Sequence, residues 1–222
     1  MVSERCKQWL LTVVIFGYVA AVLAVDTLAA TGSSFLIDWR VFRRQLSNGF
    51  DVFKFVAWFV IPFVCCLPWM DWSFFGTRRW KRKDILILLG LAVMGAGAVL
   101  ATRVFPSLAR VYRGYGQHPW HTKWVYLRWS LLWTFSWLVG WEFLHRYFLL
   151  THVQKRWPRF GWLLVPLFEG VYHIQKPLIE AGGMVVFSLF VTRWAALRRN
   201  ALLPFLAHFI IELELVAFLL VT

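Results

Sequence analysis

Apolar residues run along the chain in long unbroken stretches separated by short basic turns, a pattern that spells membrane-crossing helices rather than the half-buried elements of a soluble domain. Such stretches fall at 9–30, 50–70, 84–102, 129–150, 161–175, 181–197 and 201–221. Since about 20 apolar residues cross a ~30 Å hydrocarbon layer, the expected fold is all-α: a polytopic transmembrane helical bundle of about seven spans plus interfacial helices. The first stretch follows basic Arg5 and Lys7 and ends on small Ala29 and Ala30, as a signal peptide does. Its length exceeds the usual ~7 to 15 residue signal core, so it reads as a retained helix. Residues 31–49 set Asp38, Arg40, Arg43 and Arg44 among aromatic and branched side chains, which fits an amphipathic helix lying along the interface. Pro62 and Pro68 interrupt the second stretch, where neighbouring helices can satisfy the freed carbonyls, and Lys54 near its end can snorkel. Gly90, Gly95 and Gly97 suit the third to close helix packing.

Composition narrows the picture. Of the 222 residues, 60% are hydrophobic and 16% charged, which describes one integral membrane domain over 1–222, with helices and loops at 1–128 and the polar-bearing helices at 129–222. The formal net charge of +13 does not gather on a soluble face, so a nucleic-acid partner is not expected. It sits in turns such as 71–83, 151–160 and 193–200, where Lys and Arg mark the cytoplasmic side; the 103–128 connection is basic too, so the bias is modest. Cys6, Cys65 and Cys66 supply neither a disulfide framework nor a four-ligand zinc site. His118 and His121 have no acid or cysteine nearby and read as part of a headgroup-level loop.

Three of the last four stretches contain ionisable groups: Glu142, His145 and Arg146 in one, Glu169 and His173 in the next, His208 and Glu212 in the last. Each such group costs roughly 3 kcal/mol at the bilayer centre, so each needs compensation or a task. In every stretch an acid stands four residues from a base, which puts the two on one helix face and lets three helices converge on one polar pocket. Glu214, two residues beyond Glu212, falls on roughly the opposite face and reads as interfacial. Imidazoles and carboxylates in a dry pocket suit activation of water for peptide hydrolysis without a covalent intermediate. In that reading Glu142 or Glu169 with His173 activates water, His208 and Glu212 orient it or stabilise the oxyanion, and Arg146 holds a carboxylate ionised. Ser130, Ser136 and Ser188 have no nucleophile motif around them. Two other readings stand beside it. Glu142-x-x-His145 has di-iron ligand spacing but lacks a second Glu-x-x-His. A transporter or non-enzymatic scaffold would also keep a polar pocket.

The order WEFLHR, EGVYH and HFIIE on successive helices resembles the CAAX-protease and bacteriocin-processing (CPBP, or Abi) family of intramembrane endopeptidases, whose motifs are Glu-Glu-x-x-x-Arg, Phe-x-x-x-His and His-x-x-x-Asn or Asp. By position, Glu142 and Arg146 match the second glutamate and the arginine of the first motif, His173 the second motif, and His208 and Glu212 the third. Lys176, Pro177, Glu180 and Gly183 are similar to a bacterial branch of the family. Two positions depart: Trp141 stands where the family carries its first glutamate, and Glu169 replaces the phenylalanine of the second motif. The resemblance covers 129–221. It implies the CAAX prenyl endopeptidase type II fold and hydrolysis near the membrane anchor or C-terminal tail of a peptide or protein substrate. The expected setting is a bacterial or archaeal cytoplasmic membrane. The chemistry expected is metal-independent, with a divalent metal such as zinc as the other form argued for that family.

Overall fold

In the computed structural model, which describes residues 4–34, 38–42 and 45–222, the chain is helical throughout apart from turns. Helix α1 covers Glu4–Thr31, α2 Val52–Trp69, α3 Arg82–Val104, α4 the short Pro106–Val111, and α5 the long stretch 120–156. Helices α6 (Leu164–His173), α7 (Leu178–Arg198) and α8 (Leu202–Val221) complete it. Among the described residues five segments are long and apolar enough to cross a bilayer: Cys6–Thr31, Val52–Trp69, α3, α7 and α8. They mark an integral, multi-pass membrane protein.

The two other expected spans take a different form. Residues 129–150 lie inside α5, long enough to cross but loaded with Trp, Ser, Thr and the charged residues of the site. Its second half is instead the axis of the bundle: Leu138, Leu144, Leu149, Leu150 and Val153 are wholly buried against Val19 and Leu23 of α1, Trp58 of α2, Val165 of α6 and Ala195 of α7. Being shielded by protein, it can carry polar groups that lipid would reject. The 161–175 stretch yields only a 3-10 turn, Gly161–Leu163, and the ten residues of α6, about 15 Å of helix, half of a hydrocarbon core. The expected interfacial helix over 31–49 touches residues 35–37 and 43–44, Arg43 and Arg44 included, which lie outside the described residues; what is described is one 3-10 turn, Trp39–Phe42.

Polar contacts tie the basic turns together at one end. Asp84, fully buried at the start of α3, accepts from Trp194 Nε1 (2.9 Å) and Arg198 Nε (2.7 Å) at the end of α7. Asp71 pairs with Arg199 at 3.1 Å, and its amide donates to the Tyr147 hydroxyl oxygen of α5 at 2.7 Å. Arg199 adopts a left-handed φ of 48°, and Asn200 then bonds Gly76 O and the Leu203 amide, which fixes the sharp α7–α8 turn. At that same end Arg156 lies over the Trp9 ring at 4.2 Å. Away from it α3 and α7 diverge, and the space between them is a cavity.

Candidate functional site

Two helices carry local π-helical turns at the site. In α5 the turn Leu144–Leu149 lets the Leu150 amide reach His145 O, five residues back, and it buries four consecutive side chains from Leu144 through Tyr147. A second such turn, Phe55–Val60 in α2, faces it, with Trp58 packed on Trp141 at 5.5 Å and Gly140 admitting the close approach of the two backbones. Turns of this kind are rare and concentrate where a helix must re-aim side chains toward a site.

The acids and bases pair between helices rather than along them. Arg146 grips Glu169 of α6 with both terminal nitrogens, at 2.5 and 2.9 Å, as a fork on a carboxylate. His208 Nδ1 of α8 bonds Glu142 Oε1 at 2.8 Å. The within-helix contact that spacing suggested, Arg146 Nε to Glu142 Oε2, is a looser 3.6 Å. One guanidinium thus bridges two carboxylates, and through Glu142 the network reaches α8. His145 Nδ1 donates to Trp141 O at 2.9 Å and stands 3.7 Å from Glu169 Oε1. His173 Nδ1 donates to the backbone carbonyl of Glu169 at 2.7 Å rather than to its side chain. His208 Nε2 is 4.0 Å from Glu212 Oε1, too long for a direct hydrogen bond and short enough for one water shared by both.

Solvent reach divides the group. A cavity of about 750 Å³ between α3 and α7 is lined by His173, His208 and Glu212, and walled by Trp58, Trp137 and Trp141. Glu142, His145, Arg146 and Glu169 are buried and do not line it. Trp141 is 2% exposed and packs on both His145 (4.2 Å) and His173 (5.5 Å), so it roofs the ion-pair network from the cavity side. Trp137 lies on His208 at 5.5 Å, so the two cavity histidines pack on tryptophans one turn apart on α5.

Several cavity groups had no place in the pattern of acid–base pairs. Tyr172 donates to Asp26 Oδ2 at 2.6 Å, and Lys54 pairs with the same oxygen at 3.4 Å, so Lys54 is turned into the bundle instead of snorkelling. Asp26 carried the signal that could have revealed it: a lone acid within the apolar first helix. Tyr112, just beyond α4, donates to Glu180 at 2.9 Å, and Lys176 approaches Glu180 at 3.4 Å. Burial and the Glu180 carboxylate push the Tyr112 phenol well above its usual range. Glu214 lies against Gly95 where α8 meets α3, inside the helix contact rather than at the interface, with Oε2 buried and unpartnered.

Among the described residues no three His, Cys, Asp or Glu side chains converge to hold an ion. Glu142 and His145 serve different partners, and both Glu169 oxygens are occupied by Arg146, so the donor set fits neither a zinc nor a di-iron centre. Comparison with protein families, with curated proteins and with solved structures gives no match.

Proposed function

We propose that the chain is a membrane-embedded endopeptidase of the CPBP type, hydrolysing a peptide bond near the membrane anchor or C-terminal tail of a peptide or protein substrate in a bacterial or archaeal cytoplasmic membrane. The observation that carries this reading is the Glu142–His208 pair, buried on the carboxylate side and open on the other to a cavity shared with Glu212. Glu142 accepts from Nδ1–H and so leaves Nε2 of the neutral ring bare toward Glu212. A water held between Nε2 and Glu212 loses its proton to this pair as its oxygen attacks the peptide carbonyl, and His208 then passes that proton to the leaving amine. His173, on the same wall, commits its Nδ1–H to the Glu169 carbonyl and so presents Nε2 to accept from a backbone N–H of the bound peptide, which orients it.

In this arrangement the water-activating groups are His208 and Glu212, and Glu169 with Arg146 forms the foundation beneath them. That differs from the assignment drawn from spacing alone, in which Glu142 or Glu169 served as base. The reason is occupancy: Arg146 takes both oxygens of Glu169, and His208 takes the Glu142 oxygen aimed at the cavity side.

The test is protease-dependent appearance of new peptide termini. Protein reconstituted with a membrane-protein fraction is followed by mass spectrometry of chain ends. Active protein generates a defined set of new ends that His208→Ala, Glu212→Gln and His173→Ala abolish; identical chain ends with and without the protein refute the reading. One observation favours a second reading, a polar-pocket scaffold or transporter without proteolysis: Trp141 fills the place of the family's first glutamate. On that reading the same variants alter binding or flux and no new termini arise.

A further inference from the structure

A second cavity, about 330 Å³, lies on the other side of Glu212 from the large one. It runs between the α4–α5 connection and the face of α5 that carries Ser130 and Thr134, four residues apart and therefore aligned on one stripe. Exposed Arg110 and Arg113 stand at its mouth, at the end of the bundle opposite the Asp71 and Asp84 contacts. Tyr112, Trp133 and Glu212 border both cavities. The Tyr112–Glu180 hydrogen bond draws the α4 side of this partition onto α7.

The lining says what fills it. Thr134 is 2% exposed and its hydroxyl has no partner among the protein groups described. A buried hydroxyl in that state is ordinarily satisfied by ordered water, and a cavity of this size has ample room for several molecules along the polar groups of its lining, Ser130, Thr134 and Glu212. A hydrolytic site at Glu212 needs a route for water that substrate lying in the large cavity does not block.

We propose that the small cavity is a water port. It leads from the Arg110–Arg113 mouth past Ser130 and Thr134 to Glu212, and it is kept apart from the substrate cavity by Tyr112 and Trp133. The assignment of this water as the hydrolytic one rests on the endopeptidase reading; the port itself does not. Water reaches Glu212 from one side and the peptide from the other, so substrate need not be displaced for water to enter.

Single cysteines test it in reconstituted protein whose Cys6, Cys65 and Cys66 are replaced by alanine. Thr134→Cys and Ser130→Cys are near-isosteric, and each is exposed to an anionic, membrane-impermeant thiosulfonate, with lipid-facing Leu132→Cys as the control. The expected result is labelling of Thr134→Cys about tenfold faster than Leu132→Cys, because the reagent attacks only a hydrated thiolate. Ser130→Cys gives the same comparison should the Thr134 variant not fold. Labelling no faster than the control overturns the port. Labelling in a protein that yields no new peptide termini leaves the port standing and refutes the endopeptidase reading; cleavage with unreactive cysteines refutes the port alone.

Discussion

Removing the Glu169 carboxylate separates foundation from chemistry. Glu169 is wholly buried and accepts two charge-assisted hydrogen bonds from Arg146, itself wholly buried. Glu169→Ala strands the guanidinium, and breaking a buried ion pair from one side costs about 3–5 kcal/mol. Glu142 stays 3.6 Å from Arg146 Nε and remains a partial partner, which places the loss toward the lower end of that range, about 3 kcal/mol. For a chain of this size 1 kcal/mol corresponds to roughly 2–4 °C in Tm, so a fall of about 6–12 °C is expected. The buried thiol of Cys66, packed with Phe74 and Tyr147, provides the readout in a Cys6→Ala, Cys65→Ser background: a thiol-reactive dye in detergent becomes fluorescent when the bundle opens. The double variant Arg146→Leu, Glu169→Leu should recover part of the loss, because neither member of that pair is then stranded and Glu142 keeps its bond from His208. Glu212→Gln should leave the melting curve in place while abolishing cleavage. The reasoning fails if Glu169→Ala melts within about 2 °C of the parent and yet loses turnover, since Glu169 would then be a base and not a support.

Other expectations follow from single contacts. A Cβ at Gly140 would stand 2.7 Å from Trp58 Cβ and 3.2 Å from the Phe59 nitrogen, so Gly140→Ala should push α2 from α5 at a cost of about 1–3 kcal/mol, read as a lower Tm. Asp84→Asn weakens the bonds from Trp194 and Arg198 that close α3 on α7, and a loss of about 1.5–3 kcal/mol is expected in the same assay. The hydrogen bond from Ser73, with Arg79 and Arg199 nearby, holds the Asp71 carboxyl below its ordinary value of 3.8. Its contribution is therefore complete above that value and is lost as pH falls through the lower folded-state pKa. Hydrogen exchange of residues 71–76, corrected for its intrinsic pH dependence, should stay slow down to about pH 4 and quicken only below; Asp71→Asn should exchange fast at every pH.

The polar residues that build the site were legible because each is an exception to an apolar run, and insertion cost gives every exception a reason to be read. Their pairing was not. A four-residue step on one helix places two side chains on a common face but does not say which neighbouring helix meets that face, and the tighter contacts, Arg146 to Glu169 and Glu142 to His208, span 23 and 66 positions. Nor does LHRYFL announce a π-helical turn; the run is compatible with an ordinary helix until α2 packs against it. Five of the seven expected spans are long and apolar enough to cross, and 129–150 falls outside them for a related reason. Tryptophan, leucine and phenylalanine make 129–150 look lipid-facing along its whole length, whereas only its first part exposes such side chains, at Leu131, Leu132 and Phe135, and from Ser136 onward they pack inward around buried charge. Asp26 shows the converse error: its insertion cost was as readable as that of Glu142, but a single acid without a base four residues away escaped a search built on pairs. The feature that sets the three carboxylates apart is of a different kind from all of these. Glu142, Glu169 and Glu212 are equivalent as letters, and only their neighbours in space, His208 on Glu142 and Arg146 on Glu169 with Glu212 left at the cavity wall, determine which carboxylate faces the cavity.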